Sequence, residues 1–381
     1  MSTIIRTRSP FFIRTPQVTD VTLAYFQLNL TIWKGASGSI TQCNDVYEQY
    51  TFTKKPLPSE GSVTFEVSEI VHNHLEQSFN GTYTTSAINQ SLWVSLSTSA
   101  RTSEGAIIGT ATSNTYLAQE GFNRFKEGVN YTTEPSVMIT GNYVQYSQGT
   151  TLYIPLNNET VGSLKMYFSN GTTQNDDFAD NGQSTQKIKY ASYATSTNVP
   201  TKVEAYSGTG STGSLLKTIT CEAVEECKYG INKITFLNRW GALQELFFFK
   251  KSISSMDATR ETFNRSIFQA RVVQITDAGD GTCADNITYN QMNVNEHVKK
   301  TFNSQAIEKI ALNSGFLNDD MNTSFQELML SEYIWLTGSD GVINPVNLVD
   351  SSFTNKTSVN DRLVSYQMTF EISAPYINQI R

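Results

Sequence analysis

The sequence predicts a mainly β protein made of two or three β-sandwich-like domains with a few short helices, and three observations carry that prediction. The chain has 381 residues, well beyond the roughly 100–200 of a usual domain, so it holds more than one core. Only 17% of residues are charged, against 39% hydrophobic and 11% aromatic, a balance that excludes a disordered chain. In place of charge stand Ser, Thr, Asn, Gln and Gly, with 18 Tyr and 21 Phe. These are residues of strands and turns rather than of long helices.

Residues 1–17 read as an extended N-terminal arm. Arg6, Arg8 and Arg14 precede the first acid, Asp20, with Pro10, Pro16 and the Phe11-Phe12 pair among them. Proline removes backbone donors and favours extended chain. Such a segment either docks on a neighbouring copy or forms the first strand of its own domain. A β-sandwich domain follows over 18–134. Ala24, Phe26, Leu28, Leu30 and Ile32 alternate with polar or amphipathic residues, the period of a half-buried strand. A turn from Trp33 to Gly38 and short strands near 50–53, 62–67 and 92–96 continue the pattern. Between them, Ile70, Val71, His74 and Leu75 share one helical face, which predicts a short helix capped by Ser68. GFNRFKEGVNY at 121–131 closes the domain as a Gly-bounded turn and edge.

A β-rich middle domain spans 135–222, with strands at 151–156, 164–168, 187–190 and 202–206. The polar stretches 169–182 and 207–213 lack an apolar face and read as exposed loops. A β-rich C-terminal domain spans 223–381. Residues 231–252 form a hairpin bent around Gly241. Leu317, Met321, Phe325, Leu328 and Met329 recur at helical spacing behind Asp319 and Asp320, which predicts one helix near 318–333. Val364, Tyr366, Met368, Phe370 and Ile372 alternate as a closing strand.

Composition and motifs exclude most chemistry. With 28 Lys and Arg against 35 Asp and Glu, the net charge of -7 gives no field for a phosphate backbone, so no nucleic-acid partner is expected. Apolar runs reach four residues, as in Leu246–Phe249, where a membrane helix needs about 20, so no membrane insertion is expected. The first twenty residues lack a signal peptide's apolar middle, and secretion by that route is not expected. Cys43, Cys221, Cys227 and Cys283 are too scattered for a disulfide framework and read as thiols of a reducing cytosol. His72 and His74 stand on different sides of a helix and do not read as a metal pair. Asn175, Asp176, Asp177 and Asp180, like TDAGDGTCADN at 276–286, lack the calcium-loop pattern and read as solvated turns. No nucleophile elbow, phosphate loop or dinucleotide fingerprint is present, and His72, His74 and His297 are the only imidazoles. No catalytic residue, cofactor or metal is therefore assigned, and an enzyme is not expected. The ten N-x-[ST] sequons follow from composition, and Trp33, Trp93, Trp240 and Trp335 read as core aromatics rather than a sugar platform.

Several stretches carry a resemblance. SPFFI, FQLNLTIWKG, YTFTKKPLPSE and VTFEVSEIVHNHLE within 8–76, then GFNRFKEGVN at 121–130, resemble the opening of virion structural proteins of tailed bacteriophages, particularly those infecting Bacteroidota. CEAVEECKYGINKITFLNRWGALQELFFFKKS at 221–252, EKIALNSGFLNDDMNTSFQELMLSEYIWL and NDRLVSYQMTFEISAPYINQIR are similar to the rest of such proteins, and 135–220 is the least matched segment. The resemblance implies a tail or baseplate subunit of the virion, assembled in the host cytoplasm with other virion structural proteins. It also implies a homo-oligomer, trimer or hexamer, about a threefold or sixfold axis, and no enzyme. A glycan-binding tail module acting through 169–182 or 207–213 on a host surface glycan, a capsid decoration protein, and a depolymerase are the alternatives. Intersubunit contacts are expected from Arg6, Arg8, Phe11, Phe12 and Arg14 of the arm and from Arg239 and Trp240 at the hairpin bend. Deleting 1–17 is accordingly expected to weaken assembly while sparing the fold.

Overall fold

The computed structural model describes residues 4–34, 47–57, 60–83, 91–131, 133–178, 188–224, 228–266, 268–277, 279, 283–291, 295–354, 363–374 and 376. The protein is mainly β, its strands grouped in sandwich-like units with a few short helices. Among the described residues, three large apolar cores follow one another along the chain, at 5–118, 137–221 and 234–370.

The first unit contains β1 (Ile4–Arg6), β2 (Phe12–Arg14), β3 (Tyr25–Trp33), β4 (Tyr47–Lys54), β5 (Thr64–Glu66), α1 (Ser68–His72), β6 (Ser91–Arg101) and β7 (Ile107–Gln119). Its main sheet has the order β1-β7-β6-β3-β4, and β2 pairs with β5 in a small second sheet. The alternation in β3 turns Phe26, Leu28, Leu30 and Ile32 inward. On the opposite face Trp33 and Trp93 stack, with ring centroids 6.5 Å apart, beside Ile4 and Leu117.

The arm is part of this unit. Ile4, Ile5 and Arg6 pair in parallel with Leu117, Ala118 and Gln119, more than 110 residues away, and Phe11 packs edge-on against Tyr116. Of the two fates the sequence leaves open, the structure takes the first strand of its own domain. The physical reason is apolar: Ile4, Ile5 and Phe11 have nowhere drier to go than the edge of the sheet. Helix α1 also differs from expectation, because Ser68 does not cap it. The Ser68 amide and hydroxyl both donate to Glu66 Oε1, and the helix has no side-chain cap.

The second unit contains β8 (Tyr143–Ser147), β9 (Thr151–Asn157), β10 (Ser163–Phe168), β11 (Thr173–Asp177), β12 (Ile188–Ala194), β13 (Pro200–Tyr206) and β14 (Leu215–Val224). A five-stranded sheet, β11-β10-β13-β14-β8, faces the β12-β9 pair across a shared core of Leu152, Ile154, Leu164, Met166, Val203 and Ile219. The 169–182 stretch is not all loop: Thr173–Asp177 pairs with β10 and Phe178 is buried in the core. Backbone pairing with a neighbouring strand suffices there without an apolar repeat.

The third unit contains β15 (Asn232–Leu237), β16 (Leu243–Phe248), β17 (Ile253–Asn264), β18 (Phe268–Asp277), β19 (Cys283–Gln291), β20 (Lys299–Asn318), α2 (Asn322–Leu330), β21 (Ile334–Thr337), β22 (Ile343–Leu348) and β23 (Leu363–Ile372). A seven-stranded sheet runs β16-β15-β21-β22-β23-β20-β17. A single turn, with Asn318 capping Asp320, precedes α2. Phe325 and Leu328 of α2 enter the core with Phe248, Phe370 and Tyr366. The turn at 35–38, Cys43, Asp180, Cys227, the side chain of Cys283 and residues 278 and 280–282 lie outside the described residues, and the 276–286 stretch is not all turn, since 276–277 and 283–286 are the paired ends of β18 and β19, with Asp277 opposite Cys283. Cys221 is a buried free thiol.

Candidate functional site

The seven residues expected at intersubunit contacts come from two distant parts of the sequence, and most of them meet inside one chain. The meeting point is a polar junction where all three units touch. Its frame is a backbone crossing. Gly121 follows β7, Gly241 lies in the β15–β16 bend, and the Phe122 amide donates to the Arg239 carbonyl at 3.0 Å. A Cβ on Gly121 would stand 2.3 Å from the Arg239 carbonyl oxygen, and one on Gly241 would stand 2.3 Å from that of Glu120. Only two facing glycines permit this approach, and both have positive φ, +131° and +76°.

Side chains lock the crossing. Arg239 Nη2 donates to both oxygens of Glu127, at 2.6 and 2.7 Å, and its guanidinium lies 4.1 Å from the Trp240 ring centroid. Burial pushes the Glu127 carboxyl up, but hydrogen bonds from Arg239 and the Arg124 amide and the charges of both arginines outweigh it, holding it below the usual range. Arg6, 3% exposed, donates to the Trp240 carbonyl and Gln119, faces Glu134 at 3.4 Å, and lies over the same indole at 5.5 Å. Arg8 donates to the Leu330 carbonyl at 2.6 Å and pairs with Glu332 at 2.9 Å. From α2, buried Glu327 accepts from the Thr140 hydroxyl and, at 3.2 Å, from the Arg239 amide. Burial raises the Glu327 carboxyl above its usual range.

These contacts are made within one chain. Arg6, Phe11 and Arg239 are buried within the chain, and Arg8 and Trp240 are half-buried against their own neighbours. Phe12 is half-buried, its backbone clasped by the Asn130 side chain at 2.8 and 2.7 Å. Arg14 alone of the seven is exposed. A cationic arm on an acidic chain does find acidic and aromatic partners, but the nearest ones are its own.

The two histidines separate, because α1 ends at His72 and His74 stands in the turn that follows. His74 Nε2 contacts Tyr50 Oη at 2.8 Å. His72 turns to the junction, where Nδ1 is 3.4 Å from Glu120 Oε2 and Nε2 is 3.3 Å from Glu332 Oε2. Sequence reasoning missed this trio, because residues 72, 120 and 332 share no spacing pattern.

A second polar feature lies in the middle unit. The two stretches read as separate loops form one tip: the Gly210 amide donates to Asp177 Oδ1 at 2.6 Å and the Ser211 hydroxyl to Asn175 Oδ1 at 2.8 Å.

No protein-family model matches the sequence, and no curated protein matches it either. Among solved structures, the chain is similar to the calcium-binding domain CBD12 of CALX1.1, at 9% identity, covering 54% of this chain and 76% of that one with a TM-score of 0.19.

Proposed function

We propose that the chain is a structural subunit of a tailed-bacteriophage virion, a tail or baseplate component that assembles with copies of itself and with other virion proteins. The sequence resemblance motivates this reading, and one structural observation supports assembly. β17 is the edge strand of the third sheet, and all twelve of its residues are exposed. Over Met256–Asn264 it pairs with the part of β20 that precedes the β23 ladder, so the two strands project as a ribbon. Met256 is 55% exposed, Phe263 47% and Phe302 46%. A two-stranded ribbon is marginal alone in water, and an unpaired edge strand is a template for another chain. Light scattering and negative-stain imaging of the purified protein test the reading. A closed trimer or hexamer that falls to monomer on combining Met256→Glu, Phe263→Glu and Phe302→Glu is expected; a wild-type monomer at tens of micromolar counts against it.

The composite tip of 173–177 and 207–213 favours a second reading, a module that binds host surface glycans. Its Asn, Ser, Thr and Asp side chains present the donors and acceptors that sugar hydroxyls use. A glycan array in which the wild type binds and a variant lacking 208–213 does not would support it, and an array without signal would remove it.

A further inference from the structure

Strand alternation sorts the five-stranded sheet of the middle unit into two faces. Leu164, Met166, Val203, Ala205 and Ile219 face the core, so Lys165, Tyr167, Lys202, Glu204 and Tyr206 share the outer face, with Asn175 of β11 directly beside Lys165. Glu204 organises this face. Its Oε2 accepts from the Tyr167 and Tyr206 hydroxyls at 2.8 and 2.7 Å, and its Oε1 accepts from Lys202 Nζ at 2.8 Å. These bonds, that of Lys202 foremost, outweigh desolvation and hold the carboxyl down at about 2. A phenol tied to a carboxylate two residues back on its own strand lies along the sheet, so the Tyr206 ring is laid down and held in one orientation.

The face ends in a wall. Ser163 belongs to the outer face by alternation, yet it is 0% exposed, because the 207–213 loop lies over it. Its hydroxyl donates to the Gly208 carbonyl at 2.6 Å and accepts from the Ser211 amide at 2.9 Å. Tyr206 stands directly opposite Ser163, so its ring lies at the foot of this wall, and the Ser211 hydroxyl reaches down to Asn175 at 2.8 Å. One cation on the floor is left over. The two carboxylates here are engaged, Glu204 by Lys202 and Asp177 by the Gly210 amide. Lys165, half-buried with its ammonium 5.2 Å from the Tyr167 ring centroid, pairs with no carboxylate among the described residues.

We propose that this floor and wall bind an acidic sugar residue of a polysaccharide, its ring face against Tyr206 and its carboxylate on Lys165. The inference rests on the glycan-binding reading above and names the ligand class and the residues that read it. The C–H face of a pyranose is apolar and packs on a tyrosine ring. The Asn175 amide and the exposed Thr218 hydroxyl, which stands opposite Glu204, supply donors and acceptors to sugar hydroxyls. The unpaired ammonium selects a carboxylated sugar over a neutral one. Because Glu204 already fixes both tyrosines and Lys202, binding orders few further side chains.

The test is an array of uronate-containing and neutral oligosaccharides probed with the full-length protein at low salt, followed by calorimetry with tetragalacturonate and maltotetraose. The wild type is expected to bind the acidic oligomer at least about tenfold more tightly than the neutral one. Lys165→Gln and Tyr206→Ala, both on the solvent face and checked for folding by circular dichroism, are each expected to weaken it by at least about tenfold. Lys251→Gln, which removes an exposed lysine of the third unit, is expected to leave it unchanged. An array without signal overturns both this site and the glycan-binding reading. Binding that requires 208–213 but does not distinguish acidic from neutral sugars, or that persists unaltered in the folded Lys165 and Tyr206 variants, overturns this site alone.

Discussion

Replacing Gly241 by alanine tests the junction most directly. Gly241 has φ +76°, and an added Cβ would meet the Glu120 carbonyl oxygen at 2.3 Å, where ordinary contact begins near 3.4 Å. The left-handed conformation costs a residue with a Cβ about 1–2 kcal/mol. Relieving the contact requires the two backbones to part by roughly 1 Å, which breaks the Phe122–Arg239 backbone bond and loosens the Arg6–Trp240 bond. At about 1 kcal/mol for each of these, the expected loss is about 3–4 kcal/mol. Gly210→Ala is the control, because Gly210 is left-handed, with φ 63° and ψ 28°, but has nothing within 4 Å of the added Cβ. It should cost only the conformational part, about 1–2 kcal/mol. Urea unfolding followed by tryptophan fluorescence measures both, and hydrogen exchange over 121–127 and 238–243 reports where the opening occurs. If Gly241→Ala and Gly210→Ala lose the same stability, the close approach does not constrain the fold.

Lys217 and Cys221 give two further expectations. Burial depresses the Lys217 ammonium to about 8 from 10.5, partly offset by Glu327. Above pH 8 the folded state sheds this proton while the unfolded state keeps it, so stability rises between pH 8 and 10.5 and that gain is lost as pH falls through 8. Lys217→Met should remove about 1–2 kcal/mol of this slope after allowance for partial exposure; parallel curves for the two proteins would show that the ammonium is solvated. Burial also pushes the Cys221 thiol up to about 12. A maleimide should label Cys221 only on unfolding, and rapid labelling of this residue in native protein, read by peptide mass, would contradict its place in the middle core.

Local periodicity made several elements legible. The alternation in 24–32 and 364–372 and the helical spacing of Met321, Phe325 and Leu328 correspond to β3, β23 and α2, because each buries one face and the pattern records which. What the sequence hides is partnership. The parallel pairing of Ile4–Arg6 with β7 spans over 110 residues and leaves no periodic trace. Thr173–Asp177 is a strand because β10 offers its backbone, not because its own side chains alternate. The Arg239 and Trp240 signal was readable as a cation beside an aromatic ring, but its direction, inward to Glu127 and Arg6, depends on which chain segments cross there.

That direction decides what truncation does. Residues 1–17 supply β1 and β2, and Ile4, Ile5 and Phe11 are 3%, 0% and 5% exposed. Burying each such side chain is worth about 1.5–3 kcal/mol, and the Arg6 bonds to Trp240 and Glu134 would be lost with them. The sum is comparable with the whole stability of a domain, about 5–15 kcal/mol. Deleting 1–17 is therefore expected to unfold the first sheet and expose β7 as a new edge, a reversal of what a free docking arm would do. The ribbon is the surface that can be altered without touching a core, because none of the β17 side chains is buried. Far-UV circular dichroism and light scattering on both variants separate the two roles: the truncation should lose strand signal, and the Met256, Phe263 and Phe302 triple variant should keep it while changing mass. A truncated chain with a native spectrum would return the arm to the surface and overturn the intramolecular junction as its purpose.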